Sequence, residues 1–221
     1  MEGAVPGGGD GLSDDGDPAL RLIETLAWDG RGPLREARHL DRMAAGAARL
    51  GWPFDRGAAA AALRAGRRGP ARLRLTLGRD GVPAVEEGPL PAPIGLWRVR
   101  VHPVRLRSGD PWLRVKSTRR ALYDAARAAL PPDLDEWLFL NERGEVCEGT
   151  ITTLFFDRGD GLRTPPLSCG CLPGVLRAEM LERGAAREEV LRAGDLGRVR
   201  LALGNALRGL APARLEPGGA G

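Results

Sequence analysis

Lysine is almost absent from this chain. Of 33 basic residues, one is lysine, Lys116, and the other 32 are arginine. An arginine stays protonated at any working pH, whereas a desolvated lysine becomes a free amine able to attack a carbonyl. The lone lysine is therefore either a survivor of an arginine-favouring base composition or a residue kept for its chemistry. Long apolar runs are missing too. No stretch of about 18 such residues occurs, which excludes a membrane-spanning helix. Aromatic residues make up 5% of the chain, and no basic run exceeds two residues. The net charge of +4 is spread among interleaved acids, so neither a stacking platform nor a phosphate-tracking stripe is present, and nucleic acid is not an expected partner.

Potential metal ligands are few. Cys169 and Cys171 form a C-x-C without a second pair, Cys147 stands apart, and the two histidines, His39 and His102, are distant in sequence. Zinc sites use four ligands in paired spacing, so no metal centre is expected. Three cysteines in such a chain read as reduced, packed thiols. The opening "MEGAVPGGGDGLSDDGDP" lacks the apolar core of a secretory signal. It reads as a disordered leader over residues 1–17, and a cytoplasmic location is the expectation.

What is present has the pattern of a globular domain, with 43% hydrophobic residues. "ALRLIETLAW" reads as a strand ending at Asp29-Gly30. "PLREARHLDRMAAGAARLG" places Ala37, Leu40, Ala44 and Ala47 on one helical face and ends at Gly51 and Pro53. An alanine-rich helix, the hairpin "ARLRLTLGRDGVPAVEEG" and the strand "IGLWRVRVHP" follow. "LRSGDPW" (106–112) reads as an interdomain connector between an N-terminal domain, 18–105, and a C-terminal domain, 113–221. A helix over "STRRALYDAARAAL" begins next to Lys116; glycine-joined strands, a helix opening at Pro173-Gly174 and further strands complete the chain. The mixture predicts an α+β or α/β fold in two small domains.

Four features carry possible chemistry. Lys116 lies beside the connector, where clefts form. Glu148 is a single acid inside an apolar strand region; it is either a buried carboxylate needing a partner or a strand-end glutamate facing water. "LPGVLR" offers unpaired amides at a helix N-terminus, or an ordinary helix start, and "LGNALRG" is a second glycine turn. Together, an amine, a buried acid and two amide-bearing turns match what pyridoxal phosphate requires: a lysine for its aldehyde, an acid for its pyridine nitrogen and amides for its phosphate.

In these stretches the chain resembles the class IV, fold-type IV pyridoxal-phosphate enzymes, which include branched-chain and D-amino acid aminotransferases and 4-amino-4-deoxychorismate lyases. The resemblance runs from about Leu22 to Leu215. It rests on "ETL", "RHLDRM", "KSTRRALYDAA", "NERGEVCEGTITTLFF", "TPPLSCGCLPGVLR" and "LGNALRGLAPARL". It implies that Lys116 is the catalytic, Schiff-base lysine and that Glu148 pairs with the pyridine nitrogen. It further implies that Arg42 binds the phosphate together with the amides of Val175, Leu176, Asn205 and Ala206. Arg42 also fits a solvated basic face shared with Arg38 and Arg49. A homodimer acting on a small-molecule substrate is implied as well.

The departures bear on substrate. Leu176 stands where branched-chain enzymes carry threonine, and Ala121 where they carry tyrosine. Arg120, four residues after the lysine, resembles the lyase pattern. Tyr123 either reaches the cleft or packs. The expected activity is that of 4-amino-4-deoxychorismate lyase, releasing pyruvate and 4-aminobenzoate for folate synthesis, with Arg120 and Arg208 gripping carboxylates and Thr25 on the leaving side. The alternative is an aminotransferase using branched-chain or D-amino acids with 2-oxoglutarate.

Overall fold

A computed structural model of the protein describes residues 12, 14, 16–66 and 68–217. Most of the expected leader therefore lies outside the described residues. Of its end, the Leu12 amide donates to the Arg49 carbonyl at 3.2 Å, and Asp14 accepts from the Trp52 indole at 3.3 Å.

The first part of the chain builds β1 (Leu22–Trp28), α1 (Glu36–Leu50), α2 (Arg56–Arg64), β2 (Ala71–Leu77) and β3 (Pro83–Gly88). These strands form an antiparallel sheet in the order β1-β2-β3. In β2 the strict alternation buries Ala71, Leu73, Leu75 and Leu77 while Arg72, Arg74 and Thr76 take the other face. Helix α1 covers the apolar face with Leu40, Met43 and Ala47, and Gly51 ends it in a left-handed conformation with φ 65°.

The chain passes from this sheet to a larger one through 89–96. β4 (Trp97–Leu106), expected within the N-terminal domain, is instead hydrogen-bonded between β11 and β5 in the larger sheet. The segment 106–112 thus follows the first strand of that sheet, because β4 carries alternating Trp97 and Val99 into the second core rather than the first. After a 3-10 turn at Pro111–Arg114 come α3 (Ala121–Ala128), β5 (Glu136–Asn141), β6 (Val146–Gly149), β7 (Thr153–Asp157) and β8 (Leu162–Thr164). α4 (Val175–Glu182), β9 (Ala186–Glu188), β10 (Arg200–Asn205) and β11 (Gly209–Leu215) complete it.

The large sheet has the order β10-β11-β4-β5-β6-β7-β8-β9, and an extra β10–β7 pairing closes its first six strands into a barrel. Trp97, Val99, Leu138, Leu154, Phe156 and Leu203 fill this second core. The mixed α/β expectation holds, with strands outweighing helices. All three cysteines are buried and unbridged, packed beside α3 and β5.

Helix α3 starts at Ala121, five positions later than Lys116. The sequence places the lysine at the helix start. In the structure the residues between are drawn to the free edge of β1 instead. Ile23 N–H donates to the Lys116 carbonyl at 2.9 Å, Thr118 N–H donates to the Arg21 carbonyl at 2.8 Å, and Leu22 bridges Ser117. Satisfying backbone groups on an open sheet edge outweighs an added helical turn. This pairing moors the lysine segment to the small sheet, while α3 behind it packs on the large one.

Candidate active site

Lys116 sits where the two cores meet. Val115 before it packs into the small-lobe core, and Leu113 into the cluster under α3. Its side chain enters a cavity of about 700 Å³, within the range that holds a small ligand. No hydrogen-bond partner for its ammonium group exists among the described residues. Burial foremost, then the Arg42 guanidinium, lowers its pKa to about 8. At that value about a tenth of the amine is free at pH 7 and about half at pH 8, far more than for an ordinary lysine, as a nucleophile or base requires.

Glu148 lies on β6 in the same cavity and is buried, 8% exposed. The water-facing alternative is thereby excluded for this structure. Tyr123 Oη donates to Oε1 at 2.6 Å, and the Leu172 amide donates to Oε2 at 2.9 Å. Burial raises the carboxyl to about 7 despite these two donors. Each oxygen keeps an unused lone pair, so the group can accept one more charged donor. Burial, together with the facing Glu148 carboxylate, keeps the Tyr123 phenol un-ionised far above its ordinary range, so it acts as donor.

Arg42 projects from α1 and is 11% exposed. Its Nε and Nη2 donate to Glu24 at 2.8 and 2.6 Å, and Nη1 donates to the Pro173 carbonyl at 3.2 Å. The basic-face reading does not apply to it, because it points inward while Arg38 pairs with Glu182 at the surface. Glu24 is 1% exposed and also meets His39 Nδ1 at 2.6 Å. Burial alone would raise this acid; Arg42 and His39 more than offset that and hold it at about 2, fully ionised. Arg42 guanidinium, Glu24 and His39 form one buried unit joining β1 to α1.

The bond from Arg42 to Pro173 brings in the N-terminus of α4. Gly174 caps that helix, and the amides of Val175 and Leu176 belong to its first turn, which has no intrahelical partner. Gly174 and Val175 line the cavity, whereas the Leu176 side chain packs with Phe155 and Leu210. A Cβ on Gly204 would meet Leu176 at 2.9 Å and the Gly209 carbonyl at 2.3 Å. Only glycine lets α4 settle against the β10–β11 turn. In that turn Asn205 Oδ1 accepts from the Leu207 and Arg208 amides at 3.1 and 2.9 Å, and its Nδ2 donates to Ile151 O at 3.1 Å. Asn205 and Ala206 line the cavity, and Arg35 Nη1 donates to Ala206 O at 3.2 Å.

The substrate candidates Thr25, Arg120 and Arg208 line the same space. Thr25 lines it from β1. Arg120 is engaged by Asp124 at 2.7 Å and by the Thr150 carbonyl at 3.0 Å. Arg208 donates to Ala92 O at 2.8 Å and has no carboxylate partner among the described residues. The structure thus gathers Thr25, Arg42, Lys116, Arg120, Glu148, Val175, Asn205, Ala206 and Arg208 around one cavity, and brings the Leu176 backbone to its edge.

Sequence reasoning missed Glu24, His39, the Leu172 amide and Arg74. Glu24 carried the signal used for Glu148, an acid among apolar strand residues. His39 and Arg42 stand three apart on one helix and therefore share a face. Arg74, across from Thr25 in the β1–β2 register, was legible only as part of an alternating strand.

Residues 21–215 match the sequence model of a family described as amino-transferase class IV. A Schizosaccharomyces pombe protein provisionally named an aminodeoxychorismate lyase is 31% identical over 178 residues, 76% of each chain. A crystal structure of a protein from Mesorhizobium loti, provisionally named an amino-acid aminotransferase, superposes with a TM-score of 0.84 at 44% identity, covering 89% of this chain and all of that one. The crystal structure of 4-amino-4-deoxychorismate lyase from Pseudomonas aeruginosa gives a TM-score of 0.75 at 27% identity, covering 88% of this chain and 82% of that one.

Proposed function

The chain belongs to the amino-transferase class IV family, a family of pyridoxal-phosphate enzymes, and from this premise we propose that it acts as a 4-amino-4-deoxychorismate lyase. The donor set suits the cofactor. Arg42, the first-turn amides of α4 and the β10–β11 turn would hold its phosphate, Glu148 its pyridine nitrogen, and Lys116 its aldehyde. When bound, pyridoxal 5'-phosphate supplies an electron sink for negative charge at the amine-bearing carbon of a substrate.

The chain's own residues supply the remainder. Glu148, with no cation hydrogen-bonded to it and both donors neutral, favours a protonated ring nitrogen and so the strongest sink. Lys116, lowered to about 8, accepts the proton from the amine-bearing carbon. As the C–O bond to the side chain breaks, the ring aromatises and enolpyruvate departs, and Lys116 gives the proton to that enolate, which becomes pyruvate. Thr25, which lines the cavity from β1, would hydrogen-bond the departing side.

The observation carrying the choice of substrate is an excess of unpaired guanidinium groups in the cavity wall. Arg74 and Arg208 are both half-buried there, and neither meets a carboxylate among the described residues. Aminodeoxychorismate, with two carboxylates, provides partners for both; in the aminotransferase reading 2-oxoglutarate does so too, but the aliphatic amino acid that takes its turn in the same site provides one. Arg120, already satisfied by Asp124 and Thr150, aligns rather than grips. A second reading, an aminotransferase for branched-chain or D-amino acids with 2-oxoglutarate, is favoured by the 44% identity to the Mesorhizobium loti protein.

Incubating the pure protein with aminodeoxychorismate, and separately with leucine or D-alanine plus 2-oxoglutarate, distinguishes them by product. Appearance of 4-aminobenzoate supports the lyase; glutamate without it supports the transferase. Lys116→Ala should abolish turnover together with the borohydride-sensitive visible band. A homodimer in cytoplasm completes the proposal, and light scattering at working concentration tests the dimer. Among the described residues no helix is long and apolar enough to cross a membrane.

A further inference from the structure

The unit formed by Glu24, His39 and Arg42 contains one unmet group. His39 is 1% exposed, lines the cavity, and its Nε2 has no hydrogen-bond partner. Its Nδ1 faces Glu24 Oε2 at 2.6 Å. An ionised carboxylate only accepts, so Nδ1 carries the hydrogen and donates. In the neutral ring Nε2 is then a bare acceptor, with no donor facing it. Buried polar atoms in native proteins are nearly always satisfied; of the five buried side-chain atoms left without a partner among the described residues, this is the one whose residue lines the cavity.

The surroundings define the ligand that would meet it. His39 and Arg42 lie three residues apart on α1 and share a face. Arg42 Nη1 reaches Pro173 O, which places the N-terminal turn of α4 beside them. Cationic guanidinium and helix amides both call for an anion with several acceptor oxygens. Such an anion offers no hydrogen to Nε2 unless one of the two partners takes up a proton.

We infer that His39 is a proton-coupled ligand of the cofactor's phosphate: it is neutral in the empty pocket and becomes an imidazolium when a phosphate monoester dianion binds beside Arg42, with Glu24 as its fixed counter-charge. This rests on the assignment of the phosphate to the Arg42 side of the cavity.

The charges around the ring support the coupling. Burial depresses His39 in the empty site, Glu24 on β1 opposes this, and Arg42 on its own helix and Lys116 across the cavity add to it. The charged groups that α4 turns toward α1, Glu179 and Glu182, are occupied by Arg35 and Arg38. From α2, Arg56 and Arg64 are occupied by Asp41 and Glu36. A dianion therefore enters as the one new charge facing Nε2, and together with Glu24 it sandwiches the ring between negative groups. Binding then takes up about one proton at a pH where free His39 is neutral, and phosphate affinity falls as pH rises through the bound-state pKa.

The test uses the full chain stripped of cofactor, titrated with pyridoxine 5'-phosphate, which has no aldehyde and cannot react with Lys116. Calorimetry at pH 8 in buffers of different ionisation enthalpy should show uptake of about one proton, absent with pyridoxine. His39→Gln should bind more weakly and without uptake. Histidine-labelled wild-type protein gives an independent reading without any substitution, because the chain has only two histidines. The His39 Nε2 resonance should move from unprotonated to protonated on binding, while His102 stays put. Binding with neither uptake nor a change at Nε2 overturns the inference and leaves the phosphate assignment intact. Failure of pyridoxine 5'-phosphate to bind at all overturns both.

Discussion

Tyr123 Oη donates to Glu148 Oε1 across 2.6 Å, joining helix α3 to strand β6 at the floor of the cavity. The two residues are 25 apart in sequence. The phenol keeps one carboxylate oxygen oriented, and the Leu172 amide the other, so the acid presents its remaining lone pairs in a single direction. Tyr123, for which packing and cleft roles were both open, does both: its ring meets Phe139 edge-on with centroids 5.2 Å apart, and its hydroxyl serves the site.

Tyr123→Phe should therefore keep the fold and loosen Glu148. The lost bond is worth about 1.5–3 kcal/mol when the acid is ionised. The variant's stability deficit, measured by denaturant unfolding, should be larger at pH 8 than at pH 5, where the carboxyl is protonated in the folded protein. An equal deficit at both pH values contradicts the orientation role.

Glu148 and Lys116 make opposite pH contributions to the cofactor-free protein. Glu148 titrates near 7 when folded against 4.5 in the reference state, so the folded chain holds the extra proton between those values. Stability accordingly falls as pH rises through that window, by roughly 3 kcal/mol from this group. Glu148→Gln should be nearly neutral at pH 4 and stabilising at pH 8. Lys116 titrates near 8 against 10.5, so its unfolded form binds more protons and stability rises between those values. Lys116→Met should stabilise the cofactor-free protein at pH 7 while removing activity. A pH series of urea melts checks both signs.

Glu24→Ala leaves Arg42 and His39 buried with no counter-charge. Breaking a buried ion pair from one side costs about 3–5 kcal/mol, and the melting temperature should drop accordingly. Affinity for pyridoxine 5'-phosphate should fall as well, because the guanidinium loses the two bonds that aim it. Glu24→Gln, which retains one acceptor, should recover part of both. Intact phosphate affinity in the alanine variant would show that Arg42 does not depend on this anchor.

Gly149→Ala tests the loop that follows Glu148. A Cβ there would stand 2.3 Å from Thr152 Oγ1 and 2.9 Å from the Glu136 side chain. Glu136 is fully buried and accepts from the Ile151 amide at 3.1 Å and Thr152 Oγ1 at 3.2 Å, so neither neighbour can yield. Overpacking of this kind costs about 1–3 kcal/mol. The loop also lines the cavity, so cofactor affinity should fall along with thermal stability. A variant as stable as the wild type would show that the loop relaxes freely.

How much of this was legible beforehand follows from the range of the interactions. The alternation in β2 and the hairpin at Asp80-Gly81 are local patterns, and the structure keeps them; of the expected α1 face it buries Leu40 and Ala47 but exposes Ala37, the stripe turning toward His39, Met43 and Gly46. Lys116 stood out by its identity, and Glu148 by its apolar surroundings. The placement of β4 was not legible, since an alternating strand serves either sheet equally well. The start of α3 was not either, because the edge of β1 competes for Ser117 and Thr118 across nearly a hundred residues.

Composition and local periodicity by themselves determined the residue types available for chemistry and the elements that carry them; the motifs around Lys116 and Glu148 carried the resemblance to a pyridoxal-phosphate family. Only the tertiary structure decided that Glu24 would hold Arg42 and His39, that Tyr123 would hold Glu148, and that the lysine segment would be sewn to β1. The reason is physical: a side chain's charge state and direction depend on burial and on partners from other elements, and neither is encoded in the spacing of neighbours along the chain.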